Sequence, residues 1–321
     1  MKLIRFGILG AANIAGKFVD AVNRTEGACV VSVASRSHQR AEAFRAKNGI
    51  PSADTYESLV KRDDIDVIYI ATTQNMHKEN VIMCLQNGKH VICEKAMALT
   101  EADAREMFAL AKEKNLFLME AMWSRFLPSI QTARKWIEDG RIGTIQSAYA
   151  TIGFLCNQPL TGRIFNPDLG GGAMYDIGVY AIEVLTYLFS RPIEDIKSFV
   201  RTHPQTGVDE RCAILARFDS ADALIDVSVT SNVKQFIVIN GTKGRIELPD
   251  FHVGNTATFV PFSSDAPESA VFSYPGDNGF VFEAGEVASC IRDGKTFSEV
   301  VPPETTIECA KIFDLVLGKK N

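Results

Sequence analysis

Residues 7–15 read Gly7-Ile8-Leu9-Gly10-Ala11-Ala12-Asn13-Ile14-Ala15 and complete the apolar run that begins at Leu3. A strand that turns sharply into a helix needs a residue without a side chain at the turn. It then needs small residues where the backbone approaches a ligand and where helix packs on strand. Gly10, Ala12 and Ala15 stand at those three places. Alone, a G-x-A-x-x-A stretch serves equally well as a ligand-free turn. Its setting decides the reading. Further short apolar runs, at 29–35, 66–72, 90–94 and 116–120, alternate with helical patterns, and none shows the in/out alternation of a half-exposed strand. That is the rhythm of a parallel sheet covered on both faces. The first strand-to-helix turn of such a sheet offers unpaired N–H groups and a positive dipole end to a diphosphate, so Gly10, Ala12, Asn13 and Ile14 are read as a dinucleotide-binding turn.

Local signals support the helices between these strands. Thr100-Glu101-Ala102-Asp103 has the form of a capping box, and Gly88 follows the helical NVIMCLQN where a C-terminal glycine belongs. After residue 121 the pattern changes to strand-rich segments: IQSAYATIGF, DIKSFVRT, CAILARF, ALIDVSVTS, QFIVING and RIELP. Helical stretches near 128–139, 173–189, 279–293 and 304–317 interrupt them. Turn signals at Asp219-Ser220 and Asn240-Gly241 predict hairpins in an open, largely antiparallel sheet. The fold class is therefore α/β. A Rossmann-type, doubly wound parallel sheet spans 1–121, and a substrate-binding and dimerisation α/β domain spans 122–321, with the terminal helix free to pack back on the first.

The 321 residues carry 46% hydrophobic and 23% charged side chains and a net charge of −5, the composition of a globular chain rather than a disordered one. The acidic balance leaves no broad basic face for nucleic acid or an anionic membrane. No uncharged apolar stretch approaches the ~18 residues of a membrane span, and the segment before Gly10 is too short for a signal sequence. Seven cysteines, at 29, 84, 93, 156, 212, 290 and 309, include no C-x-x-C pair. They read as thiols of a reducing, cytoplasmic compartment. The five scattered histidines form no ligand cluster, so no metal is expected.

In a dinucleotide fold, an Asp or Glu about 20 residues past the glycine turn hydrogen-bonds the ribose 2′-OH of NAD, whereas an Arg accommodates the 2′-phosphate of NADP. Here Ser35-Arg36-Ser37 ends the second strand. Arg36 supplies a planar fork for phosphate and Ser35 a hydroxyl, with no carboxylate to repel the charge. NADP is thus the expected coenzyme, with NAD the lesser possibility. A solvated arginine opening the next helix is the plainer account of Arg36.

These residues carry a family resemblance over essentially the whole chain. The sequence resembles the Gfo/Idh/MocA oxidoreductases. Its segments Glu120–Phe126, Gly170–Tyr180 and Ile291–Lys295 are similar to the branch of dimeric, NADP-dependent dihydrodiol and xylose dehydrogenases. The resemblance implies a homodimer formed through the C-terminal sheet and oxidation of a sugar, polyol or vicinal diol. Glu94-Lys95-Ala96 follows the strand HVIC at a carboxyl-end crevice, where such sheets bind ligands, and stands where the family usually has Glu-Lys-Pro, so Glu94 and Lys95 are expected to border the coenzyme. Thr72, Thr73, Asn75 and His77 resemble its coenzyme-facing loop, although Asn75 and His77 also suit the start of a helix. Trp123 and Arg125, just past the fifth strand, are either a wall and anchor for nicotinamide or a packing aromatic and a structural ion pair. Arg163 is similarly placed by the resemblance.

Asp176 and Tyr180 are four residues apart in a helical segment and share a face. The expected chemistry is hydride transfer, with Tyr180 taking the hydroxyl proton and Lys95 stabilising the oxyanion. A nearby ammonium favours phenolate over phenol and lowers a tyrosine from its usual value of about 10, while Asp176 orients the pair or the substrate. Lys95 acting as base itself, an NAD-dependent glycosidase and a nucleotide-sensing regulator without turnover are the alternatives. Loops 154–169 and 251–278, which no motif explains, form the specificity walls.

Overall fold

The computed structural model describes residues 2–219 and 221–318. The chain divides into two compact units, one of residues 1–123 with 275–307, the other of 124–274 with the remainder from 308.

The first unit holds six parallel strands: β1 (Ile4–Leu9), β2 (Ala28–Ala34), β3 (Ser52–Asp54), β4 (Val67–Ile70), β5 (His90–Glu94) and β6 (Leu118–Ala121). Their order is β3-β2-β1-β4-β5-β6. The order reverses between β1 and β4, the switch point beyond whose carboxyl ends such sheets bind ligands. The connecting helices are α1 (Asn13–Arg24), α2 (His38–Asn48), α3 (Tyr56–Leu59), α4 (His77–Gln86) and α5 (Glu101–Lys114). All four residues of β4 are buried, as continuous apolar runs in a covered sheet require. The Thr100 hydroxyl caps α5 by accepting the Asp103 N–H at 3.2 Å. The Asp103 carboxylate accepts from Lys78 Nζ at 2.7 Å, so the cap is anchored to α4. Gly88 lies just past α4 with φ +73.

The second unit is built on an eight-stranded sheet. After α6 (Pro128–Glu138) come β7 (Ile145–Gly153), a π-turn at Met174–Gly178 running into α7 (Val179–Phe189), and then β8 (Asp195–Thr202), β9 (Asp209–Phe218) and β10 (Ala221–Ser228). They are followed by β11 (Phe236–Gly241), β12 (Gly244–Pro249), β13 (Thr256–Pro261) and β14 (Glu268–Val271). The order is β14-β13-β12-β11-β7-β10-β9-β8, antiparallel except for the parallel pair β7–β10. Strands β9 and β10 alternate buried and exposed residues, so one face is core and the other open. The predicted hairpin turn at Asp219-Ser220 includes Ser220, which lies outside the described residues, while β9 and β10 pair as expected. The other turn falls two residues later than the Asn-Gly signal suggests. Asn240 and Gly241 still pair with β7, and Thr242-Lys243 makes the connection to β12. A Cβ on Gly241 would lie 2.2 Å from the Ile142 carbonyl oxygen, so this glycine serves a close backbone approach rather than a turn.

Helix α8 (Phe280–Arg292) belongs to the first unit and packs on α1. Just before it, Asn278 Nδ2 donates to the Lys17 carbonyl and to Asp20 at 2.8 and 2.9 Å. The last helix, α9 (Pro303–Leu317), begins in the first unit and ends in the second. No helix among the described residues is long and apolar enough to cross a membrane.

Candidate functional site

In the first unit the dinucleotide turn is shaped by Gly10, whose φ is +113. A Cβ there would stand 2.6 Å from the Ala71 carbonyl oxygen at the end of β4, so only glycine fits. Helix α1 opens from Ala12 with no side-chain cap and no acidic residue in its first turn. Asn13 is exposed, and Ala12 and Ile14 are half-buried. The free N–H groups of this turn therefore suit an anionic diphosphate. At the end of β2, Ser35 is 9% exposed and Arg36 projects into solvent. Ser37 caps α2 by accepting the Arg40 N–H at 3.4 Å. The charges of Arg36 and Arg40 both act on the Tyr56 phenol, drawing it down while burial pushes it up by more. Two exposed cations, Arg36 and Arg40, and the hydroxyls of Ser35 and Ser37 thus stand within six residues at the carboxyl end of β2, and the residues of this unit fit an NAD(P)-type dinucleotide.

The loops after β4 and β5 are tied together by His77. This side chain is 1% exposed, with Nδ1 2.9 Å from the Ala96 carbonyl oxygen and Nε2 3.2 Å from that of Thr72. His77 therefore braces the loop that presents Lys95, from the second turn of structure beyond β4. Thr72 Oγ1 accepts from Asn80 Nδ2, and Thr73 Oγ1 donates to Asn75 Oδ1 at 2.7 Å. The Lys95–Ala96 peptide is cis, and the Lys95 side chain is half-buried.

Around this loop stand three buried carboxyls, of which Glu94 and Glu120 belong to motifs of the sequence and Glu283 to none. Glu94 accepts the Tyr69 hydroxyl. Glu120 is 2% exposed and accepts the Met97 N–H through Oε1 and the Thr306 hydroxyl through Oε2, both at 2.8 Å. Glu283 of α8 is wholly buried, and its carboxyl oxygens find no hydrogen-bond donor among the described residues. Burial, with the charges of Glu94 and Glu120, pushes Glu283 well above the usual carboxylate range, which favours its protonated form. Trp123 stacks on Phe280 with centroids 4.6 Å apart and planes 9° apart.

In the second unit, Asp176 lies in the π-turn and Tyr180 in the first turn of α7, 5% and 8% exposed. π-turns inside helices occur often at functional positions. Arg163 Nη1 donates to Asp176 Oδ1 at 2.7 Å, which orients the carboxylate. The stretch 251–278 expected as one loop holds strands β13 and β14, which complete the sheet edge; His252, in the connection from β12 to β13, packs its ring 5.4 Å from that of Tyr180 at 52°. Its place beside Tyr180 comes from tertiary packing, and nothing around it in sequence points there. Arg125 resolves toward the second of its two sequence readings. Its Nη2 lies 2.7 Å from Glu183 and 3.1 Å from the Thr186 hydroxyl, and both charged side chains are essentially inaccessible. The glycine run also has an internal role. Gly172 has φ +128, and a Cβ there would stand 2.0 Å from an oxygen of Asp209, so the group that needs this close approach is the chain's own carboxylate. Among the described residues no three His, Cys, Asp or Glu side chains cluster as metal ligands.

Comparison with known proteins agrees with this layout. Residues 4–122 match an oxidoreductase family with an NAD-binding Rossmann fold, and residues 130–247 match the GFO/IDH/MocA C-terminal domain. The trans-1,2-dihydrobenzene-1,2-diol dehydrogenase of Mus musculus is 33% identical over 97% of this chain and 95% of its own. That of Xenopus laevis is 33% identical over 98% and 97%. Among solved structures, levoglucosan dehydrogenase in complex with NADH and levoglucosan superposes with a TM-score of 0.90 at 21% identity, over 99% of this chain and 97% of its own. A 3-ketoreductase from Actinomadura kijaniata, crystallised with NADP, gives 0.86 at 24%, over 98% and 96%. The chain belongs to the GFO/IDH/MocA oxidoreductase family, with an NAD(P)-binding Rossmann domain followed by the family's C-terminal domain.

Proposed function

We propose that the protein is an NADP-dependent dehydrogenase that oxidises a secondary or anomeric hydroxyl of a sugar, polyol or vicinal diol. The observation that carries the coenzyme choice is the stretch from Ser35 to Arg40 after β2, where two hydroxyls and two exposed arginines stand with no carboxylate among them. Support for the substrate class comes from the near full-length similarity to dihydrodiol dehydrogenases. Bound nicotinamide supplies the hydride acceptor. On the protein side, Tyr180 accepts the hydroxyl proton and Lys95 stabilises the oxyanion left behind. Asp176, held by Arg163, orients the substrate hydroxyls. Gly10, Ala12, Asn13 and Ile14 hold the diphosphate. Thr72, Thr73 and Asn75 border the coenzyme, His77 and Glu94 set the Lys95 loop, and Trp123 walls the nicotinamide side.

The enzyme works as a homodimer through the open sheet face. There Tyr149, Phe199, Leu215 and Leu224 expose apolar side chains from four strands, Phe199 to 85%, more than isolated surface residues account for. A cytoplasmic location suits the seven thiols, none of them in a disulfide.

The test is a coenzyme-reduction screen over aldoses, inositols and trans-diols, followed by Tyr180→Phe and Lys95→Ala on the best substrate. Each single change lowers kcat by roughly two to four decades, and the double change falls far short of the product, as for groups acting as a unit. A Tyr180→Phe variant that keeps most of its activity and its basic limb would assign the proton to Lys95. Purified protein retaining NAD that does not exchange, with no polyol oxidised, would point to the glycosidase alternative.

A further inference from the structure

The helix that bears Asp176 and Tyr180 has no cap of its own. Its π-turn is preceded by Ala173, whose side chain offers no acceptor, and Gly178 just before α7 offers none either. The first amides of a helix must nevertheless be satisfied when they are buried. Here the acceptor comes from another element. Asp209, the first residue of β9 and 4% exposed, accepts the Met174 N–H at 2.7 Å and also the Ala173 N–H. The Cys212 thiol, three residues further along β9, donates to the same carboxylate at 3.6 Å. Gly172 leaves the space through which the carboxylate reaches these amides. A negative charge at this end also complements the helix dipole.

We infer that Asp209 is a positioning residue for the reaction: it clamps the first turn of the helix from β9 and thereby sets where Asp176 and Tyr180 stand. Asp176 lies two residues beyond the clamped Met174 amide, and its own N–H closes on the Gly172 carbonyl at 3.1 Å. Releasing the clamp frees the turn that holds Asp176 and lets Tyr180, one turn further, drift with it. Reactions held in a near-attack geometry lose on the order of a hundredfold for a displacement of about 1 Å. The inference rests on the reading of Asp176 and Tyr180 as the substrate-contacting pair.

The experiment uses the full chain saturated with NADP⁺ and compares wild type, Asp209→Asn and Asp209→Ala. Hydrogen exchange of the peptide spanning 172–178 reports the clamp without reference to activity. Steady-state kinetics separate kcat from the NADP⁺ KM. In Asp209→Ala the exchange of this peptide accelerates at least about tenfold and kcat falls by roughly a hundredfold, while the NADP⁺ KM stays within about twofold. Asp209→Asn keeps one oxygen acceptor and falls between the two on both readouts. It also carries the comparison should the alanine variant fail to fold. Unchanged exchange, or faster exchange with unchanged kcat, overturns the inference, as does an NADP⁺ KM that rises in step with the loss of kcat. If Tyr180→Phe alone proves harmless while exchange and kcat still fall together in Asp209→Ala, the base assignment fails and the clamp on Asp176 stands.

Discussion

Breaking the Arg125–Glu183 pair should cost far more stability than forming it supplies, and the two ways of breaking it should differ. The side chains are 1% and 0% exposed and meet at 2.7 Å. At an effective dielectric near 20 their attraction at about 4 Å between charge centres is roughly 4 kcal/mol. Removing two ions from water costs several kcal/mol each, so the intact pair is close to neutral for folding, while loss of one partner strands the other at a cost of about 3–5 kcal/mol. Arginine cannot shed its proton, so Glu183→Gln leaves a fixed buried cation and should sit at the upper end. Glu183 can take a proton, and burial already pushes its carboxyl upward against the pull of Arg125. Arg125→Met should therefore sit at the lower end and recover part of its loss as the pH is lowered. The combined change Arg125→Met with Glu183→Leu should return most of the stability. Urea midpoints of the four proteins, followed by far-UV circular dichroism and tyrosine fluorescence, measure this. Losses below about 1 kcal/mol for both single variants, or additivity in the double, would refute the buried-pair account. An Arg125→Met protein of normal stability with a raised NADP⁺ KM would restore the coenzyme-anchor role for Arg125.

Arg36→Ala should raise the NADP⁺ KM by roughly one to two decades, the value of a charge-assisted hydrogen bond of about 1.5–3 kcal/mol, and leave the NAD⁺ KM nearly unchanged. Equal losses for both coenzymes would make the arginine structural. Phe199→Glu with Leu224→Lys should shift sedimentation from dimer to monomer with little effect on thermal stability, and an unchanged sedimentation coefficient would remove the sheet face as the interface. Burial pushes Asp209 up to about 6 from its ordinary 3.8, so the folded protein holds this proton more tightly than the unfolded chain does. The group is neutral for stability below about pH 4. Its cost grows as the pH rises through the interval to about 6 and reaches roughly 3 kcal/mol. Asp209→Asn should flatten that part of the stability curve, read by urea midpoints across pH 4–7.

The parallel sheet was legible because its signal is local. Each strand from β1 to β6, apart from the three-residue β3, is an apolar run. The position of Gly10 is forced by a turn whose geometry tolerates no Cβ, and the polar switch at Ser35-Arg36 falls at the carboxyl end of β2. The short strands β13 and β14 were not legible. TATFVP and ESAV lie toward one edge of the second sheet, and β14 is largely exposed. They lack the apolar content that identifies a strand by period alone. Helix α8 showed its helical pattern but not its partner, since an apolar face does not say which core it joins. That is decided by contacts such as Asn278 with Lys17 and Asp20, about 260 positions apart in sequence.

The candidate site divides along the same line. Motifs announced the residues proposed to meet a ligand through the backbone or at a fixed spacing, such as Gly10, Lys95, Asp176 and Tyr180. The residues that hold them in place act over long sequence separations. Glu120 reaches Met97 and Thr306, His77 reaches Ala96, and Asp209 reaches Ala173 and Met174. Glu120 and His77 stand in motifs that the sequence does show, Asp209 in none, and the partner each one holds exists only once the chain is folded. The glycines at 170–172 show how the two kinds of information combine. Their sequence says that something approaches the backbone closely, and a ligand was the natural candidate. For Gly172 the structure supplies the approaching group, the buried Asp209 carboxylate of β9, which accepts the first amides of the helix that carries Tyr180, so this glycine bears on where that helix stands.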